Sequence, residues 1–68
     1  MNWDIVEGKW NQMKGTVRQK WGKLTDSDIE TIGGEKDKFL GLLQERYGKR
    51  RDEAERELDD WLSSQKAL

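Results

Sequence analysis

Trp3-Asp4-Ile5-Val6-Glu7-Gly8-Lys9-Trp10-Asn11-Gln12-Met13-Lys14-Gly15-Thr16-Val17-Arg18-Gln19-Lys20-Trp21-Gly22-Lys23-Leu24 is the stretch that decides the fold class. Within it Trp3, Val6, Trp10, Met13, Val17, Trp21 and Leu24 recur at steps of three or four, laying one apolar stripe down a single helix. Gly22 is read as the left-handed residue that closes this helix, and Lys20 and Lys23 suit the negative end of its dipole.

Outward from this stretch, Thr25-Asp26-Ser27-Asp28 starts a second helix. The Thr25 hydroxyl can accept a free backbone N–H while Asp28 reaches back, an acidic variant of the capping box. Ile29 and Ile32 are its apolar positions, and Gly33-Gly34 ends it after about two turns. A third helix is expected from about Gly34 to Tyr47, with Phe39, Leu40, Leu43 and Tyr47 on one face, Leu42 broadening that face and Gly48 as the stop. The last spans about Arg51 to Ser63, turning Ala54, Leu58, Trp61 and Leu62 inward, with Asp52 and Glu53 at its positive N-terminus. Residues after Ser64 are expected to fray. The expectation is an all-α single domain, residues 1–68, of four helices in two packed hairpins. Its core is assigned to Trp10, Val17, Trp21, Phe39, Leu43, Tyr47, Leu58 and Trp61, and its turns to Gly22, Gly34 and Gly48.

Gly15–Lys23 aligns without a gap on Gly41–Lys49, each copy ending aromatic-Gly-Lys before an acidic helix start at Asp26 or Asp52. Gly15 and Gly41 fall inside helices, where each costs about 1 kcal/mol relative to alanine. Close approach of a partner helix is the expected compensation. Trp3 and Trp61, near element ends, keep register with their stripes and are read as core residues, partly exposed enough to form a dimer seam.

A chain of 68 residues is one domain near the lower size limit for unaided folding. Only 32% of residues are apolar, 40% are charged, and neither cysteine nor histidine is present, so the core must stabilise the fold without disulfide or soft-metal support. Four tryptophans, each able to remove on the order of 200 Å² from water, make that feasible. No apolar run exceeds two residues, which excludes a membrane span or a signal-peptide core and points to the cytoplasm. The net charge is −1 but unevenly spread. Residues 1–24 carry five basic and two acidic groups, residues 25–45 two basic and six acidic, and the rest balances. Opposite-sign segments of this kind are expected to attract one another within the fold, the alternative being an external charged partner.

Missing histidine and cysteine remove the usual general bases, thiol nucleophiles and zinc ligands, so no catalytic, metal or cofactor residue is assigned. Asp59 and Asp60 are neighbours about 100° apart on a helix and do not converge as an acid/base pair. Asp26, Asp28 and Glu30 imitate the alternate oxygens of a calcium loop, but Thr31 stands where that loop needs glycine; a helix cap fits them better. The most suggestive group is Arg46, Lys49, Arg50 and Arg51, since positive charge before a helix opposes its dipole. Asp52, Glu53 and Glu55 can neutralise it locally. Alternatively, with Lys14 and Arg18, it forms an anion or nucleic-acid contact to which Tyr47 adds a stacking surface.

The motifs Glu7-Gly8-Lys9-Trp10, Met13-Lys14-Gly15-Thr16-Val17, Trp21-Gly22-Lys23-Leu24-Thr25-Asp26 and Gln44-Glu45-Arg46-Tyr47-Gly48, followed by Asp52-Glu53-Ala54-Glu55, together resemble the bacterial CsbD-like family. The resemblance covers nearly the whole chain. It implies a four-helix domain of two orthogonally packed hairpins, similar to the SAM-domain-like arrangement, in a small protein of the general stress response. Asn11 and Thr16 stand where relatives commonly carry lysine, and Glu35 where they carry a basic residue, which reduces the basic face.

The expected function is therefore a non-catalytic bacterial stress-response protein that binds or protects other macromolecules, acting as a monomer or weak homodimer on a partner the residues do not identify. Two alternatives stand beside it. One is a salt-sensitive nucleic-acid contact through Lys14, Arg18, Arg46, Lys49, Arg50 and Arg51. The other is a hydrophilin-like protectant, given a mean hydropathy of −1.14 and seven glycines.

Overall fold

In the computed structural model, which describes residues 2–65, the chain folds as α1 (Trp3–Gly8), α2 (Trp10–Lys20), α3 (Asp26–Ile32), α4 (Lys36–Tyr47) and α5 (Arg51–Ser64). Each helix packs on its neighbour in the chain, most extensively α4 on α5, within an envelope of 29 × 23 × 18 Å. Among the described residues, no helix is long and apolar enough to cross a membrane. The fraying expected after Ser64 falls mostly on residues 66–68, outside the described chain; Gln65 stands just past α5 and donates its N–H to the Leu62 carbonyl.

The described residues form five helices instead of four because the first stripe is broken at Lys9, whose backbone (φ −112°, ψ 18°) leaves the helical region. Asn2 caps α1 through its side-chain oxygen, which accepts the Ile5 N–H at 3.0 Å. A helix of six residues is too short to stand alone in water. What holds α1 is tertiary contact: Val6 is fully buried, Trp3 packs on the core, and the α1 backbone lies directly on Gly34. A Cβ at Gly34 would stand 2.5 Å from the Glu7 Cα, so only glycine admits this crossing, and its φ of +87° also favours glycine.

The boundary at Thr25 forms as its residues dictate. Thr25 Oγ1 accepts the Asp28 N–H at 3.0 Å and Asp28 Oδ2 accepts the Thr25 N–H at 3.1 Å. Gly33 and Gly48 take the left-handed conformation that ends α3 and α4. Gly22 does not. The left-handed glycines are Gly33, Gly34 and Gly48, and α2 instead ends at Trp21, whose N–H still reaches the Val17 carbonyl at 2.8 Å. Nor do Gly15 and Gly41 mark a helix crossing: both are exposed, and a Cβ at either would meet no neighbour within 4 Å.

The core is aromatic at its centre. Phe39 is fully buried and is ringed by all four tryptophans, with centroids at 6.3 Å (Trp3), 5.9 Å (Trp10), 4.9 Å (Trp21) and 6.0 Å (Trp61), each edge-on. Perpendicular approach matches the positive ring edge to the negative face and adds about 0.5–1.5 kcal/mol per pair beyond area burial. Met13, Val17, Leu24, Ile29, Ile32, Leu40, Leu43, Ala54, Leu58 and Leu62 complete the core. Tyr47 and Trp3 pack at its rim, each half-buried.

Candidate functional site

The six basic residues singled out from the sequence each lie within ion-pair distance of a carboxylate. Lys14 and Arg18 lie one turn apart on α2 and pair with Glu30 and Asp26, also one turn apart, on α3. The pairing runs 14 to 30 and 18 to 26, the register of two antiparallel helices. Asp28 points to the other side of α3, where the Arg46 guanidinium from α4 grips it with Nε to Oδ2 and Nη2 to Oδ1 bonds of 3.1 Å each. Every acid of α3 thus holds a cation from a flanking helix, and two of the five cations of residues 1–24 are neutralised by acids of the second segment.

These contacts move the proton equilibria of both partners in the Arg46 pair. The guanidinium hydrogen bonds, together with the Thr25 N–H, hold the Asp28 carboxyl down at about 2 against the opposing effect of burial. The same bonds raise the Arg46 value. Asp28 is 8% exposed, so the pair lies at the edge of the core and is better shielded from solvent than the α2–α3 pairs.

The 46–51 segment pairs in the same way. Lys49 donates to Glu57 at 3.0 Å, Arg50 stands 3.6 Å from Asp52, and Arg51 reaches back 3.6 Å to Asp37 at the start of α4. Of the local neutralisers expected, Asp52 pairs with Arg50, whereas Glu53 accepts the Arg50 backbone N–H at 3.2 Å. Tyr47 is engaged as well: its hydroxyl accepts the Lys23 N–H at 3.0 Å and the Lys23 ammonium lies 5.2 Å over its ring.

One centre escaped the sequence reading. Glu57 accepts the Trp21 Nε1–H at 2.8 Å with one oxygen and the Lys49 ammonium with the other. Burial alone would push its carboxyl up, but the Trp21 and Lys49 hydrogen bonds and the charges of Lys49 and Lys20 outweigh that and lower it. Lys20 itself lies 5.4 Å over the Trp21 ring. Beside this centre an open groove of about 750 Å³ is lined by Lys20, Lys49, Arg56, Glu57, Asp60 and Trp61, a wall of mixed sign. No group of three or more potential metal-ligating side chains occurs among the described residues. Asp26, Asp28 and Glu30 lie on a helix and bind cationic side chains, and Asp59 takes Lys36 at 3.5 Å.

The family model described as CsbD-like matches residues 4–56, which include the α1 residues packed on Gly34, the α2–α3 ion pairs and the Asp28–Arg46 fork. The chain belongs to the CsbD-like family. It is 50% identical to UPF0337 protein RPA4217 of Rhodopseudomonas palustris over 66 residues, covering 97% of this chain and all of that one. It is 51% identical to UPF0337 protein YjbJ of Escherichia coli K12 over 61 residues, 90% of this chain and 88% of that one. UPF0337 protein pc0632 of Protochlamydia amoebophila is 48% identical, over 90% of this chain and 92% of its own length. No solved structure matches the chain significantly. In this CsbD-like chain the residues that an electrostatic site would use are the residues that tie the helices together.

Proposed function

We propose that this CsbD-like protein is a non-catalytic stress-response protein of the cytoplasm that binds or protects other macromolecules. The observation that carries the reading is the self-paired charge surface. Lys14, Arg18, Arg46, Lys49, Arg50 and Arg51 each have a carboxylate within ion-pair distance, spread over four helices around a sealed aromatic core. Such a surface is strongly hydrated, carries almost no net charge and has only short-range fields at the 8–10 Å Debye length of ordinary salt. It suits contact with many proteins without drawing any one into a tight complex. A nucleic-acid complex would have to exchange these internal carboxylates for phosphates, which lowers the counterion-driven affinity that binding of this kind depends on.

The reading is tested by heating a labile client enzyme with and without an equimolar amount of the protein and following light scattering and recovered activity. Protection that exceeds that of an inert folded protein of equal size supports it. In parallel, proton–nitrogen NMR of the labelled protein is followed at low salt with a short mixed-sequence DNA duplex. Salt-reversible shifts at Lys14, Arg18 and residues 46–51, without client protection, would replace the proposal with nucleic-acid binding.

A further inference from the structure

Two features of α1 point in different directions. The apolar stripe runs on without a change of register from Trp3 and Val6 to Trp10 and Met13, the pattern of one continuous helix. The chain nevertheless breaks at Lys9, where the Lys9 N–H turns onto the Ile5 and Val6 carbonyls and the next turn starts from the Lys9 carbonyl. Returning Lys9 to helical dihedrals would join α1 and α2 into one helix from Trp3 to Lys20. The freed Trp10 and Asn11 N–H groups would then bond to Val6 and Glu7 in the ordinary i to i−4 pattern. The unbroken apolar stripe favours the straight form, and the docking of α1 on Gly34 and Phe39 favours the bent one.

Gly8, beside the break, has open space where a side chain would stand, so nothing steric fixes the bend there. α2 is anchored independently of α1, since Trp10 Nε1 donates to the Ile29 carbonyl at 2.9 Å. A straightened α1 would therefore swing off while the rest of the core stayed in place. Its seat, the bare Gly34 backbone beside the Phe39 ring, would be left open, and Val6 and Trp3 would be exposed on the projecting helix.

We propose that the seat of α1 is an exchange surface between copies of this chain, filled by the α1 of a second copy when Lys9 straightens. The occupant fits because it is the same segment: the Glu7 backbone on Gly34, Val6 in the core and the Trp3 edge on Phe39 are reproduced in trans. The reciprocal exchange closes a twofold dimer and covers again the apolar surface that straightening exposes. Tethering through one residue gives α1 an effective concentration of roughly millimolar at its own seat, so the closed monomer dominates at micromolar protein and exchange requires unfolding or high concentration.

The test is to unfold the wild-type chain and Gly8→Ala in denaturant, refold each at ~10 μM and ~1 mM protein, and measure mass by sedimentation velocity. Alanine favours the straight hinge. Dimer after refolding at the higher concentration, in at least roughly threefold larger fraction for Gly8→Ala, is the expected result. A chain and variant that both stay monomeric would overturn the proposal. The dimer is then prepared from mixed labelled and unlabelled chains and examined by isotope-filtered NMR. Nuclear Overhauser contacts between Trp3 of one copy and Phe39 of the other are expected, and a dimer with those contacts only within one copy would equally overturn it.

Discussion

Arg46 and Asp28 are joined by two parallel N–H···O bonds of 3.1 Å each, and the same carboxylate accepts the Thr25 N–H at the start of α3. One side chain therefore both caps α3 and fastens it to α4. A planar guanidinium makes this fork where an ammonium cannot.

The pair makes the stability of the fold sensitive to acid. The folded Asp28 carboxyl titrates near 2, below its ordinary value of 3.8. Its stabilising contribution is therefore complete above the unfolded value and is lost as pH falls through the interval down to about 2. Asp28→Asn is expected to lower stability at neutral pH and to flatten the decline in this interval. Arg46→Lys keeps the charge, loses the fork and should fall between the variant and the wild type. Denaturant midpoints across the acid range check both, and an Asp28→Asn curve parallel to the wild type would place the acid sensitivity elsewhere.

The glycines separate into two kinds. Gly15 and Gly41 are exposed inside α2 and α4 with open space around them, so Gly15→Ala and Gly41→Ala are each expected to stabilise by about 0.5–1 kcal/mol through helix propensity. Gly34→Ala drives a methyl group into the Glu7 backbone and should cost more than about 2 kcal/mol. Thermal and denaturant unfolding of the three variants measures both signs.

The two inner tryptophans also differ. Trp21 donates to Glu57 at 2.8 Å, whereas Trp61 Nε1 is buried without a hydrogen-bond partner among the described residues. An unmade buried bond carries a desolvation penalty of about 1–3 kcal/mol, which Trp61→Phe removes while losing some packing. Trp61→Phe is expected to cost less than about 1 kcal/mol, and Trp21→Phe, which strips Glu57 of a donor, about 2 kcal/mol or more. Equal losses in chemical denaturation would contradict the assignment of Trp61 as the unsatisfied donor.

What could be read from the residues was the part of the fold governed by local rules. Thr25 and Asp28 form their capping box because both partners lie within one turn, and Gly33 and Gly48 end their helices because the bulk of other residues disfavours a left-handed backbone. The break at Lys9 was invisible, since the spacing from Val6 to Trp10 is that of an unbroken helix and the cause lies in a crossing with Gly34 far along the chain. Gly22 was misassigned because a glycine after an aromatic residue carries no sign of the dihedral it adopts. Gly15 and Gly41 were misassigned for a related reason: exposure of a helical glycine depends on which face the neighbouring helix takes. The Lys14–Glu30 and Arg18–Asp26 register was legible in principle, as matched one-turn spacings of opposite sign on successive antiparallel helices. The Glu57 centre was not, because its Trp21 partner is 36 residues away.

That register makes its own prediction about the surface. Lys14→Glu sets two carboxylates against each other across α2 and α3, and Glu30→Lys does the same with two ammonium groups. Each single reversal is expected to cost about 0.5–1 kcal/mol, within the range of exposed ion pairs. The double reversal should recover most of the loss, because the positions stay opposed and only the sign is exchanged. Screening at ~1 M salt shortens the Debye length to about 3 Å and should bring all four proteins of the cycle together. If the single variants remain destabilised at high salt, the two side chains act through packing of their methylene stems, and the paired charges would then be free to serve an outside partner.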